Sequence, residues 1–180
     1  AWAMYLTSAH PEAAERIRAE GEAVLGDREP TAADYSALAY TRAVIQETMR
    51  LYPPIWGLIR VAAEEDEIGG KQVKPGDRVV LFAYGAHHDA RFWDAPDEFR
   101  PERWMGDAAK KRVKYSYIPF GAGKRSCIGG AMSQVENTLA LSLLLRRFRP
   151  EYVGQEPAPI NATVTLTPRG GLYFKIHELS

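Results

Sequence analysis

The run FGAGKRSCIG at 120–129 constrains the chain more than any other, because it sets the only cysteine, Cys127, in a glycine-rich loop leading straight into an apolar helical segment. A lone thiol has no partner for an internal disulfide. At the start of a helix it meets backbone N–H groups without intrahelical acceptors and the positive end of the dipole; both favour thiolate, the form that ligates metal. Gly121, Gly123, Gly129 and Gly130 remove side chains from around the sulfur, so a large flat group can lie against the backbone. Arg125, two residues before the cysteine, offers a fixed cation to an anionic edge of that group.

A chain of 180 residues, 46% hydrophobic, can bury a substantial core around such a loop. Its 23 basic and 23 acidic residues cancel, which excludes a global field for nucleic acid or an anionic membrane. Lys110, Lys111, Arg112 and Lys114 form the one local basic run. The longest strongly apolar stretch, 139–145 with Ser142 inside it, is too short to cross a bilayer, and residues 1–6 show no leader pattern. Those six residues, AWAMYL, read as the tail of a helix already under way, stopping near His10 and Pro11.

Pro11 opens a second helix, with Glu12 and Glu15 near its N-terminus, Ile17, Val24 and Leu25 on its apolar side, and Gly26 at its end. Thr31 and Asp34 match a capping box leading into a helix through Tyr40, Val44, Ile45, Met49 and Leu51, stopped by Pro53 and Pro54. Strands are predicted at 58–62 and 78–82, the second after a KPGD turn at 74–77. Residues 84–117 lack any period and read as irregular coil with one helical turn. Met132, Val135, Leu139, Leu143 and Leu144 then recur at helical spacing, and Leu141 and Leu145 broaden the stripe into a nearly buried helix. Segments 162–167 and 172–176 alternate around PRGG at 168–171, the pattern of a hairpin. The expected class is mainly α with small antiparallel β elements, α+β.

The spacing F-x-x-G-x-R-x-C-x-G, filled by Phe120, Gly123, Arg125, Cys127 and Gly129, resembles the haem-binding loop of cytochrome P-450, the haem-thiolate monooxygenases. Glu47 and Arg50 stand at i and i+3, able to pair on one helix face, and their run ETMRLYPP resembles the family's E-x-x-R helix. FRPERW at 99–104 resembles the P-E-R-F segment, with Arg103 as the third member of the cluster and Trp104 replacing phenylalanine. The segments at 68–77 and 87–93 look like the family's strand-turn and H-R-D-x-x-x-W, with His88 where arginine is common. Adjacent histidines point apart and no third ligand has metal spacing, so His87 and His88 read as a structural or surface pair. The motifs follow the family's order, and the resemblance covers essentially residues 1–180. It implies the C-terminal half of the cytochrome P-450 fold, from the end of the long central helix to the final hairpin, with the N-terminal half outside the sequence.

The resemblance further implies haem b, iron protoporphyrin IX, as cofactor, with Cys127 on the iron. Arg60 and Arg125 would pair with the propionates, Phe120 and Gly121 would pack beside the sulfur, and the N–H groups of Ile128 and Gly129 would point at it. Glu47, Arg50 and Arg103 would fix the coil beneath the haem. Glu136 matches a familiar position, and Ser133 departs from the usual alanine. Ile55, Trp56, Gly57, Thr163 and Val164 would face a lipophilic substrate. An acidic electron donor, a ferredoxin or a flavin reductase, would dock near Lys110, Lys111, Arg112 and Lys114. The implied reaction inserts one atom of O2 into that substrate; the alternatives are a peroxide-driven peroxygenase and a non-catalytic haem-binding or structural fragment. The family's acid–alcohol proton-delivery pair lies upstream of Ala1, so weak or no activity is expected of these 180 residues alone. Richness in alanine and arginine leans toward a cytoplasmic bacterial protein, while an N-terminal membrane anchor would fall upstream.

Overall fold

Helices make the core and strands form four separate two-stranded ladders around it in the computed structural model, which describes residues 1–179. In chain order α1 spans Trp2–Ala9, α2 Pro11–Leu25 and α3 Ala39–Leu51. The antiparallel pair β1 (Leu58–Val61) and β4 (Arg78–Leu81) encloses a small hairpin of β2 (Asp66–Ile68) and β3 (Lys71–Val73). Short helices α4 (Ala83–His87) and α5 (Gly106–Lys110) flank a 3-10 turn at Pro101–Trp104. The long helix α6 (Gly130–Arg147) runs into β5 (Phe148–Tyr152), and β6 (Ile160–Ala162), β7 (Leu166–Pro168) and β8 (Phe174–Glu178) close the chain.

The main core joins Ala13, Ala14 and Ile17 of α2, Tyr40, Val44, Ile45 and Met49 of α3, and Leu141 and Leu145 of α6. Gly21 lets α2 and α6 touch: a Cβ there would stand 3.0 Å from the Ser142 hydroxyl. A second cluster packs Trp2, Tyr5 and Leu6 of α1 against Leu51, Ala158 and Leu166, tying the first helix to the last ladders. Burying a side chain such as Ile17 or Leu145 contributes about 1.5–3 kcal/mol each, so the helices around α3 fix its position firmly.

Four expectations are corrected. The capping box forms, but it opens a 3-10 turn at Ala32–Ser36 and not the long helix. The free N–H groups of Tyr40 and Thr41 in the first turn of α3 are instead taken by Glu20 of α2, at 2.6 and 2.8 Å, a long-range cap that no local spacing announces. Residues 84–117 contain three short helical turns where one was expected, each too brief to carry a period. On α6 the buried face is Thr138, Leu141, Ser142 and Leu145, while Met132 and Leu144 are exposed; helical spacing is right, but α2 covers a different face. The segments around PRGG do not pair with each other: β7 pairs with β6, and β8 returns to β5, which leaves α6 beside it. Among the described residues no helix is long and apolar enough to cross a membrane.

Candidate functional site

Glu47 and Arg50, on adjacent turns of α3, are both fully buried. Arg50 Nε and Nη2 donate to the two Glu47 carboxylate oxygens at 2.9 and 2.8 Å, a bidentate pair. Its remaining N–H groups reach the carbonyls of His87, Pro96 and Glu98 at 2.8, 2.5 and 3.1 Å, so all five guanidinium donors have acceptors. Glu47 also accepts from Arg100 N–H at 2.9 Å, Arg103 Nε at 3.3 Å and Trp104 Nε1 at 2.8 Å. Arg103 in turn donates to the Ala95 carbonyl at 2.7 Å. Burying two charges is costly unless such bonds replace water; here one helix turn collects the backbone of 95–100 and pins an otherwise irregular coil.

His87 carries this order onward. It ends α4 fully buried, and its Nε2 accepts the Ile118 N–H at 2.9 Å. The proton therefore sits on Nδ1, which faces the Arg50 carbonyl at 3.2 Å. Burial lowers its pKa to about 4, which keeps the ring neutral and this bonding pattern intact near neutrality. His88 lies half-buried on Tyr84, its Nδ1 2.9 Å from the Tyr84 carbonyl. Among the described residues no group of three or more His, Cys, Asp or Glu side chains could hold a metal ion.

From Ile118 the chain turns through Gly121, whose N–H donates to the Ile118 carbonyl at 3.0 Å. Gly121 and Gly123 hold φ of +72° and +69°, a region closed to most side chains. The Cys127 N–H then bonds the Phe120 carbonyl at 2.8 Å, closing the loop, and Gly130 N–H follows onto the Cys127 carbonyl at 3.3 Å. A Cβ on Gly130 would stand 3.1 Å from the Phe120 ring, so glycine there lets the ring fold against the start of α6. Cys127 is exposed, and among the described residues the N–H groups of Ile128 and Gly129 find no acceptor. Ile128, next to the cysteine in the chain, is fully exposed, and Met132 in the first turn of α6 is 66% exposed.

An open pocket of about 380 Å³ lies over this loop. It brings together Ile55, Phe120, Gly121, Arg125, Cys127 and Gly129 of the expected residues, and adds Leu58 and Ser133. Arg60 is not among its walls: it sits on β1 opposite Val79, exposed, with Nη1 on the Ile59 carbonyl at 3.0 Å. Trp56 and Thr163 meet directly, indole to carbonyl, at 2.7 Å, and Leu166 N–H bonds the Pro54 carbonyl at 2.9 Å. Trp56 also lines a second apolar pocket of about 360 Å³ with Phe82, Tyr84 and Leu166. Gly57 packs near Val80, and Val164 is 84% exposed.

The basic run is not uniform. Lys110 pairs with Asp107 at 2.9 Å, and Lys114 lies 4.9 Å from the centre of the Tyr115 ring. The Arg112 guanidinium stacks 4.3 Å above the buried Trp104 ring, where burial lowers its pKa. Sequence reasoning missed the hydrogen bonds of His87 and Trp104; both depend on how the coil between residues 88 and 117 folds back, and only the aromatic content of that coil hinted at it.

The family model described as cytochrome P-450 matches residues 1–175. The chain is 41% identical over 149 residues to cyclooctat-9-en-7-ol 5-monooxygenase of Streptomyces melanosporofaciens, an alignment covering 83% of this chain and 32% of that protein. It is 34% identical over 179 residues to the protein LUTEIN DEFICIENT 5, chloroplastic, of Arabidopsis thaliana, covering 97% and 30%. Among solved structures, the haem domain of cytochrome P450DA superposes with a TM-score of 0.91 at 28% identity, over 100% of this chain and 40% of that one. The chain thus spans about a third of the length of the curated relatives it matches.

Proposed function

Since the chain belongs to the cytochrome P-450 family, whose cofactor is haem, we propose that Cys127 is the thiolate ligand of the haem iron in a monooxygenase acting on a lipophilic small molecule. The observation that carries this is the unpaired Cys127 thiol at the wall of an open pocket that Gly121 and Gly129 also line, with the fully exposed Ile128 next to it in the chain. These residues fit the group. The thiol is a soft donor with no competing bond, Gly129 leaves space beside it, a Cβ there lying 3.9 Å from the sulfur, and Arg125 supplies a cation at the pocket edge.

Haem held by Cys127 would supply an iron that activates oxygen, with donation from a thiolate ligand suited to that chemistry. The chain's own residues do the rest. The N–H groups of Ile128 and Gly129, which find no acceptor among the described residues, would be free to bond the sulfur and temper its donation. Phe120, folded on Gly130, keeps water from its side of the ligand. Arg125 at the pocket edge, and Arg60 from its exposed position on β1, would supply the cations that neutralise the propionates. The Glu47–Arg50–Arg103 cluster holds the coil that supports the loop through His87 and Ile118. Ile55, in the wall of the cysteine pocket, would face the haem side of the substrate space, and Trp56, Gly57, Thr163 and Val164 would border it farther out. Residues 1–180 form the cysteine-bearing, C-terminal portion of the enzyme, and an acidic electron donor meets it at residues 110–114.

Resonance Raman of the ferric haem-loaded protein tests the ligand. An iron–sulfur stretch is expected in the wild type and not in Cys127→His; its absence from wild type overturns the assignment.

A further inference from the structure

We propose that Trp104 and Arg112 are positioning residues of the buried Glu47–Arg50 pair: the indole N–H holds the Glu47 carboxylate, and the Arg112 guanidinium clamps the indole from outside. Trp104 Nε1 lies 2.8 Å from Glu47 Oε2, the oxygen whose other partner is Arg50 Nε at 2.9 Å. With phenylalanine at 104 the ring would remain, and that oxygen would keep Arg50 alone. Trp104 is 8% exposed, so no water stands ready to replace the lost donor.

Arg112 completes the arrangement. Its guanidinium lies 4.3 Å over the Trp104 ring and 5.8 Å from the centre of Tyr117, and among the described residues it has no carboxylate partner. Tyr117 packs at a tilt on Trp104, ring centres 4.4 Å apart, and on His87 at 5.2 Å. A cation over the face of an indole draws electron density from the ring and so strengthens the N–H as a donor to carboxylate. Of the four basic residues at 110–114, Arg112 is the one that stacks on the buried indole; its charge serves the interior. From Glu47 the contacts continue through Arg50 and His87 to Ile118, two residues before Phe120 and the cysteine loop.

The first test needs no haem. The chain has four tryptophans, and Trp104→Phe identifies the Trp104 indole among the four N–H resonances. Arg112→Gln should move that resonance and speed its hydrogen exchange by about two- to five-fold, the factor of a partly exposed cation–π contact, with Arg112→Lys between. Lys111→Gln should leave it unchanged. Equal behaviour of Arg112→Gln and Lys111→Gln would overturn the proposal. The second test rests on the haem reading and is therefore separable from the first. In the haem-loaded protein each of Trp104→Phe and Arg112→Gln should lower the thiolate-ligated fraction seen with carbon monoxide, and Arg112→Gln should add nothing in the Trp104→Phe background. Fully additive losses, or no loss in either variant, would contradict a shared path through the indole.

Discussion

At the scale of single residues, the most consequential groups are those that replace water inside the molecule. His87 illustrates this with a pH signature. Its ordinary value of 6.5 falls to about 4 in the fold through burial, so between these values the unfolded chain binds a proton that the native chain does not. Stability from this group is therefore complete above about pH 6.5 and is lost as pH falls toward 4, by up to roughly 3 kcal/mol. Denaturant titrations at pH 7 and pH 4.5 should show the loss, and His87→Gln, which can accept from Ile118 and donate to Arg50, should flatten it. Equal slopes in both proteins would contradict the burial argument. The partnership of Glu47 and Arg50 was legible in sequence because i and i+3 share a helix face. The roles of His87 and Trp104 were not, since their partners lie 31 and 57 positions away across coil without a period.

At the scale of elements, loop and helix ends set the geometry. Gly121 and Gly123 both hold positive φ, but only Gly121 faces a neighbour: an added Cβ would stand 3.2 Å from Leu58 Cδ1. Gly123→Ala should cost about 1–2 kcal/mol from backbone strain alone. Gly121→Ala should cost that plus the displacement of Leu58 from the pocket wall, so its unfolding midpoint should fall further; a smaller loss at Gly121 than at Gly123 would refute the packing contribution. Elements defined by local chemistry were readable: Pro11 starts α2, Gly26 ends it, and the proline pair at 53 and 54 follows the end of α3. Pairings chosen by tertiary contact were not. The turn residues of PRGG promised a hairpin, yet β8 pairs with β5 because α6 delivers β5 alongside it. Likewise Thr31 and Asp34 formed their box while Glu20, from another helix, capped α3.

At the scale of the whole molecule, charge is balanced and function depends on local faces. Lys111 and Lys114 are exposed, whereas Lys110 is paired with Asp107 and Arg112 is stacked on Trp104. Lys111→Glu with Lys114→Glu should slow reduction by an acidic donor about tenfold at low salt, with the difference shrinking as salt rises. Stopped-flow kinetics check this, and an unchanged rate would remove the docking face from the account. In the proposed function the docking face, the pocket lined by Gly121 and Gly129 and the buried Glu47 cluster all serve one atom, Cys127 Sγ. The direct measurement is the carbon monoxide difference spectrum of the reduced protein titrated with haem, for wild type and Cys127→Ala. The account predicts the red-shifted band of thiolate-ligated haem in the wild type and its loss in the variant; a band that survives Cys127→Ala, or that is absent from both, would contradict it.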